Sequence, residues 1–138
     1  MIVYDEFRIK TPEREKLVNV TREIQNIVNN SNIREGVCRI FVPHTTAGIT
    51  INENADPSVM KDIISYLGKL IPVGGGLGYS FSHREGNSDA HIKCSLIGNM
   101  LEVLIHEGRL ILGTWQGIMF SEFDGPRSRR VCMQIEGD

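Results

Sequence analysis

Short apolar runs dominate this chain, and they do not alternate regularly with helices. Strand-forming residues gather at 2–9, 17–20, 37–42, 101–105, 109–120 and 130–135, while helical periodicity is confined to three places. Strands that outnumber helices without β-α-β alternation imply an α+β fold resting on an antiparallel sheet. Gly-rich connections between such strands let the sheet fold over on itself. The expectation is a compact antiparallel β-sandwich-like sheet with two or three helices on one outer side.

Each helix has its own signal. Thr21 is expected to cap the first, with Ile24, Ile27 and Val28 on one face and Asn29-Asn30-Ser31-Asn32 ending it. Asp56-Pro57 marks the second, because an aspartate accepts from free amides while proline tolerates the first helical position. Val59, Met60, Ile63, Ile64 and Leu67 are then expected inward. A third helix is predicted over about 89–97. Gly74-Gly75-Gly76-Leu77-Gly78 is too short to separate domains and reads as a mobile loop, so a single domain over 1–138 is expected.

Fifteen basic against seventeen acidic residues leave a formal charge of -2. No global field therefore draws the chain to nucleic acid or an anionic membrane, and any anion must be held locally. Charges at Asp5, Glu6, Arg8 and Lys10 interrupt the apolar run a secretory signal needs, and no later segment reaches membrane-spanning length. A soluble, cytoplasmic protein is expected. Cys38, Cys94 and Cys132 are odd in number and far apart, which argues against a disulfide framework or a CxxC zinc site. Cys38 and Cys132 lie in apolar runs and read as buried small hydrophobes.

Three stretches carry chemistry. From Pro43 to Asp56 the residues alternate with period two, which on an unbroken strand sets His44 and Asn52 on one side. A solvent-facing strand explains that pattern equally well, although Asn52-Glu53-Asn54 disfavours a strand. The stretch from His83 to Lys93 holds two imidazoles, Glu85, Asn87 and Asp89; its plain alternative is an exposed turn capping the next helix through Ser88 or Asp89. Three histidines with carboxylates nearby suit zinc and related metals, since neutral ring nitrogens ligate and acidic groups orient them. His106, between two apolar runs and before Glu107-Gly108, reads as a hairpin turn outside the site. In the third stretch, Asp124-Gly125-Pro126 forms a turn after which Arg127 could offer a fork of donors to a phosphate; Arg129 and Arg130 read as solvated ion-pairing residues.

Taken in order, His44-Thr45-Thr46-Ala47, Asn52 to Pro57, His83-x-Glu85-Gly86-Asn87, Ala90-His91-x-Lys93, Gly113-Thr114-Trp115-Gln116 and Glu122 to Arg127 resemble the YjbQ-like family. The resemblance implies an α+β sandwich assembled as a homotrimer, in a family with members described as secondary thiamine-phosphate synthases. By matching positions it implies His44, His83 and His91 as metal ligands and Asn52, Glu53, Glu85 and Asn87 as the catalytic set. Thr45, Thr46, Lys93 and Arg127 fall at polar positions suited to phosphate. The implied cofactor is a divalent ion, zinc-like at the histidines, with magnesium an option on a diphosphate substrate.

That activity would join a pyrimidinylmethyl diphosphate to a thiazole phosphate, with fixed cations and the metal neutralising the leaving group. Two rivals remain open from sequence. One is a metal-dependent phosphate-ester hydrolase with Glu53 or Glu85 as base; the other is a non-catalytic trimer that binds a metal or metabolite.

Overall fold

The computed structural model describes residues 1–138, and its architecture is the expected α+β fold. A five-stranded antiparallel sheet contains β1 (Ile2–Lys10), β3 (Gly36–Phe41), β7 (Met100–His106), β8 (Arg109–Leu110) and β10 (Ser128–Gly137), in the order β1-β10-β3-β7-β8. A three-stranded sheet contains β2 (Lys16–Asn19), β4 (Ala47–Glu53) and β9 (Gln116–Glu122), in the order β2-β9-β4. Their inner faces share one core. Ile40, Val103, Val131 and Met133 from the larger sheet join Ala47, Ile49, Ile118 and Phe120 from the smaller, and α1 (Thr21–Ser31) closes the side with Ile24 and Val28. Removing this apolar surface from water is the main favourable term in folding.

Several local expectations change. The run 109–120 is not one strand: β8 and β9 belong to different sheets, and the chain crosses between them through 111–115. A turn there is fixed by Gln116, whose amide donates to Gly113 O at 3.0 Å while its side-chain oxygen accepts from Gly113 N at 2.7 Å. Thr21 does not cap α1, because its hydroxyl donates to Asn19 Oδ1 at 2.7 Å and accepts from Ile118 N at 2.9 Å, which ties the helix to β9. Cys132 is half-buried on the outer face of β10, whereas Cys38 is fully buried and its thiol is pushed up to about 12 by that burial.

The second helix, α2 (Pro57–Leu70), starts where Asp56-Pro57 places it, with Asp56 Oδ1 accepting from Ser58 N at 2.9 Å. Its apolar residues Val59, Met60, Ile63, Ile64 and Leu67 are only half-buried, so the helix lies over the small sheet without sealing it. The glycine stretch forms a small hairpin of β5 (Gly75–Gly76) and β6 (Tyr79–Ser80) instead of an irregular loop. The third helix, α3 (Ser88–Ile97), ends against β4, where Gly98 O accepts from Ile49 N at 3.0 Å. A Cβ on Gly48 would stand 2.4 Å from that same carbonyl, so glycine lets α3 come this close to β4.

Candidate functional site

The chemistry-bearing stretches converge beside α3. After β3 the chain runs through Val42-Pro43-His44-Thr45-Thr46 before β4 begins; residues 83–87 lead into α3, which carries His91; and 124–127 form the turn between β9 and β10. Together they line a cleft of about 480 Å³ in which Pro43 is the one side chain without a polar group. His44, Thr45, Thr46, His83, Glu85, Asn87, His91 and Arg127 all line it.

Three expected site residues lie elsewhere. The strand does not extend from Pro43, since β4 begins at Ala47, and eight residues of extended chain would separate His44 from Asn52 by roughly 26 Å in any case. Asn52 and Glu53 instead end β4, paired with Gly117 and Gln116: Asn52 Oδ1 accepts from Glu53 N at 2.7 Å, and Glu53 Oε2 accepts from Ala55 N at 2.9 Å just past the strand. Lys93 faces away from the cleft into the protein. It is 1% exposed, with Nζ 3.0 Å from Asp89 Oδ2 and 3.3 Å from both Glu15 oxygens, so no donor is left for a phosphate.

Asp89 is not a helix cap either. It is buried between Lys93 and Arg14, with Arg14 Nη2 at 3.1 Å. Burial alone pushes its carboxyl up, but the hydrogen bonds from Arg14 and Lys93 outweigh that and hold it below the usual range. This cluster anchors the first turns of α3, and with them His91, to the segment before β2.

Two carboxylates that sequence reasoning passed over organise the cleft. Asp124 Oδ2 accepts from Asn87 Nδ2 at 2.9 Å and Arg127 Nη2 at 3.1 Å, while Asp124 O accepts from Arg127 Nε at 2.7 Å. One side chain thus orients groups from two stretches 37 residues apart. Asn87 Oδ1 is left as a buried acceptor with no protein partner. Beneath, Glu122 is fully buried and accepts from Thr11 Oγ1 at 2.7 Å, Asp124 N at 2.9 Å and the Arg129 guanidinium. Arg129 is therefore a buried residue and not a solvated one, and its Nη2 donates to Thr46 Oγ1 at 2.9 Å. Burial raises the Glu122 carboxyl, yet Arg129 leads the hydrogen bonds that bring it below its ordinary value. The motif block from Glu122 to Arg127 marks this stretch in the sequence, but no local periodicity connects Glu122 to Arg129 seven residues on.

The histidines occupy different environments. His83 and His91 meet edge to face with ring centroids 5.6 Å apart, and Glu85 Oε2 is 3.8 Å from His83 Nε2. His44 is half-buried, and Nε2 accepts from the backbone amide of Arg130 at 2.9 Å. Burial, followed by the charge of Arg129, lowers its pKa and favours the neutral ring. His106 lies apart in the β7–β8 hairpin, where Glu107 and Gly108 take positive φ and Nδ1 is 2.9 Å from Glu35.

A three-histidine metal centre does not fit this arrangement. The Nε2 lone pair of His44 already receives an N–H, and no group of three or more His, Cys, Asp or Glu side chains is placed to hold a metal ion. The set does suit proton transfer and anion binding. The lining of the cleft brings imidazoles, the Glu85 carboxylate and threonine hydroxyls together with the Arg127 guanidinium and the Asn87 amide, the last two side by side on Asp124 Oδ2.

Known proteins match this chain over nearly its whole length and in its shape. The model of the family described as UPF0047 protein YjbQ-like matches residues 5–138. A UPF0047 protein of Methanocaldococcus jannaschii is 54% identical over 132 residues, covering 96% of this chain and 93% of its own length. The UPF0047 protein YugU of Bacillus subtilis is 46% identical over 130 residues, covering 94% and 96%. Among solved structures, a YbjQ-like protein of unknown function from Sulfolobus solfataricus superposes with a TM-score of 0.91 at 32% identity, covering 100% of this chain and 99% of that one. No helix here is long and apolar enough to cross a membrane. With residues 5–138 matched by the family model and a relative 54% identical over nearly the whole chain, the chain belongs to the UPF0047 YjbQ-like family.

Proposed function

We propose that the cleft takes a small phosphorylated substrate and that the chain is a transferase of the thiamine-phosphate-synthase kind. The observation that carries this reading is the meeting of His44, Thr45, Thr46, His83, His91 and Arg127, from separate stretches of chain, in one polar cleft. Its volume of about 480 Å³ suits a small molecule. Such a surface offers hydrogen-bond donors for oxyanions and little for an apolar ligand.

In the proposed reaction the bond between a pyrimidinylmethyl carbon and a diphosphate oxygen breaks, and its electron pair leaves with the diphosphate. The ring nitrogen of a thiazole phosphate supplies the pair for the new C–N bond. Charge therefore grows on the departing oxygen, and preformed donors stabilise it most when they need no reorganisation. Arg127, held by Asp124 through Nε and Nη2, keeps its remaining donors for a phosphate. In this reading His83 and His91, which meet edge to face, donate to the leaving group, and the Glu85 carboxylate beside His83 favours the cationic pyrimidine fragment. Magnesium, where the diphosphate binds it, arrives with the substrate.

A homotrimer belongs to the same proposal. On α2 and the chain after it, Tyr66, Leu70 and Val73 are 71%, 58% and 61% exposed, an apolar strip that a neighbouring subunit would cover.

The test is product analysis with both substrates and magnesium present. Formation of thiamine phosphate, with a large fall in turnover for Glu85→Gln, is expected. Release of phosphate from one substrate without coupling would replace the reading with hydrolysis, and binding without turnover would replace it with a metabolite-binding role.

A further inference from the structure

His44 was expected to ligate a metal, yet its surroundings give it another task. Strand β3 ends at Phe41, paired with Cys132, and β10 continues beyond it toward Arg130. The next amide of β10 on that side, Arg130 N–H, has lost its strand partner. His44 Nε2 takes the partner's place at 2.9 Å, just after the chain leaves β3. A ring nitrogen that accepts carries no proton, so the neutral imidazole must hold its proton on Nδ1. Ligating a metal through Nδ1 would move that proton to Nε2, against the N–H of Arg130, whose strand is fixed by β1 through Arg8.

Nδ1–H finds no acceptor within the protein, and it is not among the buried unpartnered atoms. Solvent or a ligand in the cleft is what it meets. Thr46 is in a similar position. Its Oγ1 accepts from the buried Arg129 at 2.9 Å, which leaves the hydroxyl proton unused by the protein. Both residues line the same cleft.

We infer that His44 is a substrate-binding donor and not a metal ligand: it is held as the Nδ1–H tautomer, and with the Thr46 hydroxyl it forms a neutral donor pair for an anionic oxygen of a phosphate ester. The inference rests on the reading of the cleft as a phosphate receptor and adds which atoms receive the anion. The backbone of β10 sets the tautomer, so the donor is present at neutral pH without a charge on the ring.

The experiment uses the full chain with ¹⁵N-labelled histidine and thiazole phosphate as the probe. Long-range ¹H–¹⁵N correlation is expected to show His44 protonated at Nδ1, with that nitrogen shifting as thiazole phosphate is added and neither nitrogen shifting with Zn²⁺. Affinity for thiazole phosphate is expected to fall roughly 10–100-fold in His44→Ala and in Thr46→Val, the range for a lost hydrogen bond to a charged group. Zn²⁺ affinity should be the same in His44→Ala as in the parent protein, and thermal melts establish that each variant is folded. An Nε2–H tautomer, a His44 shift with Zn²⁺, or a tenfold loss of Zn²⁺ affinity in His44→Ala overturns the tautomer assignment. Parent protein that binds the probe while His44→Ala binds it equally well overturns the donor role alone. Parent protein that does not bind it overturns the phosphate reading as well.

Discussion

Replacing Glu122 by alanine should destabilise the protein more than any change on the rim of the cleft. The carboxylate is fully buried, and its loss strips hydrogen bonds from Thr11, Asp124 N and both Nε and Nη2 of Arg129. It also strands a guanidinium that is 5% exposed. Breaking a buried pair on one side costs roughly 3–5 kcal/mol, because the remaining charge stays desolvated without its partner. At about 2.1 cal/mol/K per residue, unfolding 138 residues carries an entropy near 0.29 kcal/mol/K, so the melting temperature should fall by roughly 10–17 °C. Calorimetry measures this directly. The double variant Glu122→Leu, Arg129→Met removes both charges and should recover much of the loss, while Thr46, deprived of its donor, should still bind substrate poorly. The pair also makes stability acid-sensitive: the Glu122 contribution is present above its ordinary value of 4.5 and disappears as pH falls through the lower folded value. A fall of less than about 3 °C in Glu122→Ala would refute the view that this pair is desolvated and coupled, since it corresponds to roughly 1 kcal/mol.

Lys93→Met should lower stability by roughly 1–3 kcal/mol through the loss of its bond to Asp89, with thiazole phosphate affinity unchanged; a selective affinity loss would return Lys93 to the phosphate site. In an NMR titration His106 should lose its proton above the usual 6.5, because Glu35 stabilises its charged form, and Glu35→Gln should abolish the shift. That contribution is complete at pH below 6.5 and is lost as pH rises through the raised folded value. Light scattering at micromolar concentration should give a trimer, and Tyr66→Glu with Leu70→Glu should dissociate it; a monomeric parent protein would remove the trimer proposal.

Sequence made the fold class legible because the patterns behind it are local. Asp56-Pro57 announces α2 through capping chemistry that needs no tertiary partner, and Glu107-Gly108 announces the β7–β8 turn through its backbone preference. The break within 109–120 was illegible, since its apolar residues serve two different sheets and periodicity does not record a change of sheet. In the cleft, the reactive side chains could be listed from their motifs, and most of them do meet. Lys93 was misplaced because a lysine in a polar motif looks the same whether its ammonium faces solvent or a buried Asp89. Asp124 and Glu122 were overlooked for the converse reason: their partners come from 37 residues away in Asn87 and from the far side of a turn in Arg129, separations that sequence reading cannot close.

Whether the cleft holds a phosphate is read out by calorimetric titration of thiazole phosphate into the parent protein and into Arg127→Ala. The arginine side chain hydrogen-bonds only to Asp124 within the protein and is 54% exposed, so its removal should leave the fold intact. Saturable one-site binding to the parent protein is expected, with an affinity roughly 10–100-fold weaker in the variant, as for a lost charge-assisted contact. Equal affinity in the two proteins, or no binding to the parent, would contradict phosphate binding in the cleft.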